Sequence, residues 1–255
     1  MKSIEKKFIL VDTLLYFFSK LFPALLNLAF ISVFIGIVGL NGYGEFSLNI
    51  YLINLIVSFS FGWLNQSILR YSSLGVSRNV QPPILQMILS SLIIALFTNI
   101  IITYGTKDST AFAITSFAII CIGFFTVLKT IYQSNLNPRK IIRLTTLQAL
   151  LFFLIPLFLS LYFILDFKIL IFTTGLSFLI PSLLLIKKNE IFFFNSQMRI
   201  DKSLIKRWIK FGIPLSVWSS LGLLLSFLDR YFINKYSNLE SLGIYSCLSE
   251  LSIKI

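Results

Sequence analysis

Polar and apolar positions along this chain do not alternate at the spacing of a half-buried strand or of a surface helix. Apolar residues come in runs of about 18 to 25, the length a helix needs to cross a hydrocarbon core of roughly 30 Å. Seven runs emerge, covering 10–38, 46–69, 84–104, 111–132, 141–165, 168–186 and 211–233, and an eighth begins near Leu242. Turn residues punctuate them. Gly39-Leu40-Asn41-Gly42 follows the first run, Pro82-Pro83 opens the third, and Asn135-Leu136-Asn137-Pro138 follows the fourth. Proline suits a first helical turn because its missing N–H has no intrahelical partner there. The pattern predicts an all-α, polytopic membrane helix bundle.

Composition agrees with that reading. Hydrophobic residues make up 56% of the 255-residue chain and charged residues 13%, too few to clothe a soluble domain of this size. The net charge of +12 raises the question of nucleic acid. A nucleic-acid binder gathers its cations on one solvated face or arm. Here Lys2, Lys6 and Lys7, then Arg70 and Arg78, then Lys129, Arg139, Lys140 and Arg143, and finally Lys187 to Lys210 fall in alternate loops. The intervening loops hold only Lys107, Lys168, Arg230 and Lys235. That asymmetry places the N-terminus in the cytoplasm and assigns the charge to the bilayer, not to nucleic acid. The apolar run after the basic N-terminus is too long for a signal peptide and reads as a retained span.

Chemistry is sparse. The chain has no histidine, and Cys121 and Cys247 sit apart inside apolar runs, so neither a zinc site nor a disulfide framework is expected. No Walker loop, dinucleotide fingerprint or nucleophile elbow is present, which argues against an enzyme and for no cofactor. Interest therefore falls on polar residues inside the spans, since each is costly in a membrane. In span 1, Thr13, Tyr16, Lys20, Pro23 and Asn27 recur at three- and four-residue spacing and form one stripe suited to a water-filled cavity. Lys20 is the leading candidate, with a lysine snorkelling to the interface as the plain alternative. Asn54, Ser58 and Asn65 share a face of span 2, extended by Gln66 and Arg70, and could equally be hydrogen-bonded glue between helices. Arg70 and Lys129 stand where topology alone would put cations. Asp12 is the one carboxylate of the first six spans, and so the candidate for ion coupling.

Between spans 6 and 7, Leu204, Ile205, Trp208 and Ile209 take helical spacing opposite Lys202, Lys206 and Arg207. This predicts a basic amphipathic helix on the inner leaflet over 187–210, with Trp208 at headgroup depth. An internal echo is also present: Gly44-Glu45-Phe46-Ser47 returns as Gly243-Ile244-Tyr245-Ser246, 199 residues later. Lys6-Lys7-Phe8 returns as Lys206-Arg207-Trp208 at an offset of 200. A repeat unit of six spans follows, of the parallel kind some transporters build around a central site.

Several of these segments resemble a known family. Leu40-Asn41-Gly42-Tyr43-Gly44-Glu45-Phe46-Ser47 and Gln133-Ser134-Asn135-Leu136-Asn137-Pro138-Arg139-Lys140 resemble loops of polysaccharide exporters. Phe211-Gly212-Ile213-Pro214-Leu215, Leu228-Asp229-Arg230-Tyr231-Phe232-Ile233 and Leu242-Gly243-Ile244-Tyr245-Ser246 resemble, in order, the start of the second lobe of O-antigen and lipid-linked oligosaccharide flippases. These belong to the multidrug/oligosaccharidyl-lipid/polysaccharide exporter superfamily. The resemblance implies a MATE-like N-lobe over 1–186, a linker over 187–210 and the start of a C-lobe over 211–255. It implies transport of an undecaprenyl-pyrophosphate-linked oligosaccharide in a bacterial inner membrane, coupled to a proton or sodium gradient or the membrane potential, beside other membrane proteins of polysaccharide assembly. Pro214, Asp229 and Arg230 are the motif positions; a local Asp229–Arg230 ion pair orienting span 7 is expected. Because such proteins have roughly twelve to fourteen spans in two lobes, the chain is expected to be truncated and inactive alone. A membrane glycan polymerase or transferase and a small-cation drug exporter are the competing functions. The first would need a large external loop with catalytic Arg or His, and the second an acidic cavity.

Overall fold

The computed structural model describes residues 2–72, 84–103, 108–186 and 202–254; side chains are described from Phe17 onward, with Phe18, Ser19, Ser72, Thr103, Lys202, Leu204, Ile253 and Lys254 excepted. Every described element is a helix: α1 (Lys2–Ser72), α2 (Ile84–Thr103), α3 (Ser109–Ser134), α4 (Pro138–Ser160), α5 (Phe167–Leu185), α6 (Lys202–Tyr236) and α7 (Leu239–Lys254). Among the described residues, six are long and apolar enough to cross a membrane, which makes this a multi-pass membrane protein.

The first of them contains two crossings. Within α1 only Gly39 leaves helical geometry, at φ 77° and ψ 170°, a conformation that glycine reaches without a Cβ penalty. The chain reverses there. Phe30 and Phe46 lie 16 residues apart, about 24 Å along a straight helix, yet their rings are centred 5.9 Å from each other. The break expected over four residues is thus concentrated in one, and the second limb resumes helix at once, ahead of residue 46. Phe30 also packs on Phe34 and on Phe152 of α4, both at 4.3 Å. Lipid tails are as apolar as these rings, so close packing holds them together rather than escape from water.

Caps fix the other ends. Asp108 accepts from the N–H groups of Thr110 and Ala111 to start α3, and Asn137 accepts from Lys140 N–H just before Pro138 opens α4. The Tyr132 hydroxyl donates to the Leu185 carbonyl at 3.0 Å, satisfying an end of α5.

These contacts sort the helix termini into two ends. One gathers the ends of α1, α3 and α5 with the starts of α4 and α6, and carries Arg70, Lys129, Arg139, Lys140, Arg143, Lys206, Arg207 and Lys210. The other gathers the Gly39 bend, the end of α6 and the starts of α3, α5 and α7. There Lys168 bridges to Asp108 at 2.6 Å.

The basic segment before span 7 is not a separate surface helix. Residues 202–210 are the first turns of α6, which runs unbroken to Tyr236. Trp208 is 3% exposed, packed within the bundle and not lying out on a lipid surface. It stacks on Tyr71 at 5.7 Å, and its carbonyl accepts from Ser67 Oγ at 2.8 Å. Residues 187–201 of the expected linker lie outside the described residues.

From there α6 runs antiparallel along the whole second limb of α1. Gly212, Ser216 and Ser220 recur every four residues and meet Ser58, Gly62 and Trp63. Ser216 Oγ donates to the Ser58 carbonyl at 3.1 Å, and the Ser58 and Ser220 hydroxyls share a 3.0 Å hydrogen bond. Small residues at this spacing let backbones approach closely, and their hydroxyls add bonds that lipid cannot supply.

The sequence echo is realised as a contact. A Cβ on Gly44 would lie 2.7 Å from the Leu239 carbonyl oxygen, and one on Gly243 would lie 2.2 Å from the Leu40 carbonyl oxygen. Shifted by 199, each pair becomes the other. Reciprocity of this kind defines an isologous contact, so the start of the second limb and the start of α7 meet about a local pseudo-two-fold axis.

Candidate functional site

Polar side chains of the spans converge on two cavities. The first, about 290 Å³, is lined by Asn27 from the first limb of α1 and by Tyr43, Tyr51 and Asn54 from the second. Gln148 (α4), Thr174 (α5) and Glu250 (α7) complete its polar wall, and Phe30, Phe46, Phe152 and Phe178 supply the apolar one. The second cavity, about 400 Å³, is lined by Asn54, Ser58, Asn65 and Gln66 with Thr126 of α3 and Ser219 of α6. Asn54 belongs to both. The two cavities therefore follow the polar face of the second limb, whose residues 54, 58 and 65 fall on one side of a 3.6-residue helix.

The chemistry of the walls is that of hydroxyls and amides. Asn and Gln each carry two donors and an acceptor with two lone pairs, and Tyr and Thr can donate or accept. Asn65 Oδ1 is buried without a hydrogen-bond partner, an acceptor that a polar group in the second cavity would satisfy. Thr174 is less available, since its hydroxyl already donates to the Leu170 carbonyl at 2.7 Å. Glu250 accepts from the Tyr43 hydroxyl at 3.1 Å. Among the described residues, no group of three His, Cys, Asp or Glu side chains is placed to hold a metal.

Of the positions singled out in the sequence, Asn27, Asn54 and Asn65 enter these cavities. Lys20 is exposed on the first limb and acts electrostatically on half-buried Lys129 of α3, so the two cations share one region at the cation-rich end. Neither lines the cavities. Arg70 also stays outside them, its guanidinium 4.2 Å from the centre of the Phe211 ring. The side chain of Asp12 lies outside those described, as do those of Thr13 and Tyr16. Pro214 is exposed within α6, which it does not interrupt.

The expected Asp229–Arg230 ion pair is not formed. Arg230 is 1% exposed and turns into the bundle. Its Nε donates to Ser47 Oγ at 3.0 Å, Nη1 to the Ser226 carbonyl at 2.9 Å and Nη2 to Ser249 Oγ at 2.8 Å. The guanidinium also lies 3.6 Å from the centre of the Tyr51 ring, where the ring's negative face attracts it. Asp229 stays at the surface and accepts from the Tyr245 hydroxyl at 3.1 Å. A planar fork with five donors can tie three helices at once, and consecutive residues on a helix point about 100° apart. Arg230 is thus no outer-loop cation but the tie between α1, α6 and α7, directly behind the Tyr51 wall of the first cavity.

Gln148, Thr174, Tyr43, Tyr51 and Glu250 complete the site without having been singled out. Gln148 carried the same signal as Asn54, a polar amide inside an apolar run. Glu250 did not stand out because its segment, Leu242 onward, mixes serines with apolar residues and shows no clean span. No family model, curated protein or solved structure matches this chain.

Proposed function

We propose that this chain is an exporter of the lipid-linked oligosaccharide flippase type, moving an undecaprenyl-pyrophosphate-linked repeat unit from the inner to the outer leaflet of a bacterial inner membrane. The observation that carries the reading is the first cavity. Asn27, Asn54, Gln148, Tyr43 and Tyr51 offer neutral hydrogen-bonding groups around one space inside an otherwise apolar bundle. Hydroxyl-rich sugars need such groups, while their lipid tail can remain in the bilayer. Lys20 and Lys129, close enough to feel each other's charge, suit the diphosphate at the cation-rich end. The positive-inside rule makes that end cytoplasmic. Transport in this reading is not enzymatic and draws on an ion gradient.

Complementation of a strain lacking an O-unit flippase tests this, using the chain alone and fused to a second lobe from a related exporter. Restored surface polysaccharide in the fusion, lost on Asn54→Leu together with Gln148→Leu, is the expected result. A fusion that restores polymer equally well with both substitutions sinks the assignment of the cavity.

One observation favours a second reading. Glu250 places a carboxylate among aromatic rings in the first cavity, which suits an organic cation. Efflux of a lipophilic cation that disappears with Glu250→Gln, without any effect on polysaccharide, would move the protein to the drug-exporter branch.

A further inference from the structure

On another side of the second limb of α1 lies a groove of about 410 Å³ that the proposed transport does not use. Phe59 and Trp63 form one wall, Met87 and Ile94 of α2 the next, and Ile209 and Ile213 of α6 the third. Phe59 is 51% exposed and Ile213 47%, so the groove opens outward from the bundle. Its α6 wall extends from Ile205 to Val217, a rise of about 18 Å, or a little over half a hydrocarbon core. In a bilayer such a slot does not stay empty, because unfilled walls forfeit their dispersion contacts.

The rim identifies what fills it. Arg70 turns away from the groove, its guanidinium over Phe211, which is not a groove residue, so the cations at the mouth come from α6. Lys206 and Lys210, both exposed, follow the groove residues Ile205 and Ile209 on α6. Among described residues, no carboxylate lines this groove.

We infer that this groove binds one acyl chain of an anionic phospholipid, with the lipid phosphate held at Lys206 and Lys210. Chain length, apolar walls and a cationic mouth are matched in one place, and juxtamembrane cations attract anionic headgroups over zwitterionic ones.

Trp63 provides a reporter. The Trp218→Phe variant removes the indole that is 77% exposed, leaving Trp63 in the groove wall and buried Trp208. This protein is placed in phosphatidylcholine nanodiscs containing rising fractions of brominated phosphatidylglycerol or brominated phosphatidylcholine. Half-quenching is expected at a mole fraction about tenfold lower for the anionic lipid. Lys206→Gln with Lys210→Gln should close that gap, whereas Ile213→Phe, which fills the slot, should weaken quenching by both lipids. Circular dichroism and monodisperse elution establish that each variant is folded, and native mass spectrometry counts retained phosphatidylglycerol independently. Identical curves for the two lipids overturn the proposal, as does an anionic preference that survives the double substitution. Displacement of the brominated lipid by a polyprenyl phosphate far more readily than by unlabelled phosphatidylglycerol would also overturn it, assigning the groove to a carrier tail.

Discussion

Two helical hairpins of this molecule are built from echoing sequence and closed by different means. The first, formed by the two limbs of α1, turns at Gly39 and is lined with aromatic rings. The second, α6 with α7, turns at Ser237-Asn238, where the Ser241 N–H donates to Asn238 Oδ1. Where they meet, Gly44 and Gly243 play equivalent parts, but Ser47 and Ser246 do not. Ser47 accepts from Arg230, while Ser246 Oγ is buried with no partner. The position matching Arg230 in the first hairpin is Phe30 or Ile31, at an offset of 200 or 199, and neither can donate. The backbone contact has kept its symmetry and the side-chain chemistry has not. One half of the pair therefore carries a buried cation and the other a hydroxyl that has lost its reason to be there.

Removing the cation should have the largest effect. Arg230→Met strips hydrogen bonds from three helices, and bonds to a charged group are worth about 1.5–3 kcal/mol each. Offset by apolar burial, the net loss should lower the melting midpoint in detergent by on the order of 10 °C. An unchanged midpoint would mean that Arg230 does not tie the hairpins. Next come the glycines. Gly243→Ala drives a methyl into the Leu40 carbonyl oxygen and should cost about 1–3 kcal/mol, with Gly44→Ala milder in keeping with its wider gap. If either is tolerated like a surface change, the reciprocal contact is not close-packed. The serines sharpen the asymmetry: Ser47→Ala should cost about 1 kcal/mol, and Ser246→Ala should be neutral or slightly stabilising, since it removes an unsatisfied polar atom. The reverse order in thermal melts would break the comparison.

The smallest effect belongs to a contact outside both hairpins. Lys168 first, then Thr110 and the Ala111 N–H, hold the exposed Asp108 carboxyl below its ordinary range. A carboxyl lowered in the folded state stabilises fully above its unfolded pKa, and that contribution fades as pH falls through the folded one. Asp108→Asn should therefore lower the midpoint slightly at neutral pH, converge with the parent protein at acid pH, and so flatten a shallow acid loss. A large shift at neutral pH would contradict this.

Much of the fold was legible because a bilayer leaves few options. Each span announced itself by length, Gly39 and Asn137-Pro138 by turn chemistry, and Asn27, Asn54 and Asn65 by the cost of a polar group in lipid. What could not be read was direction. Asp229 and Arg230 are neighbours in sequence, and only the packing of α6 between α1 and α7 decides that one faces out and the other in. Trp208 looked interfacial by composition, but Tyr71 and Ser67 recruit it to the interior. Glu250 belongs to a cavity whose other walls include Asn27 and Tyr43, more than two hundred residues before it. No local period encodes such a meeting.

Asn54 has a consequence beyond lining two cavities. It is a shared doorpost between adjoining rooms, and its amide presents an acceptor on one side and donors on the other. A half-turn about its last torsion exchanges them. In the transport proposed above, a polar guest passing Asn54 would trade one hydrogen bond for its mirror without being left bare in the middle of a membrane. Asn54→Asp, which removes the donors, would leave a door that greets the guest from one side only.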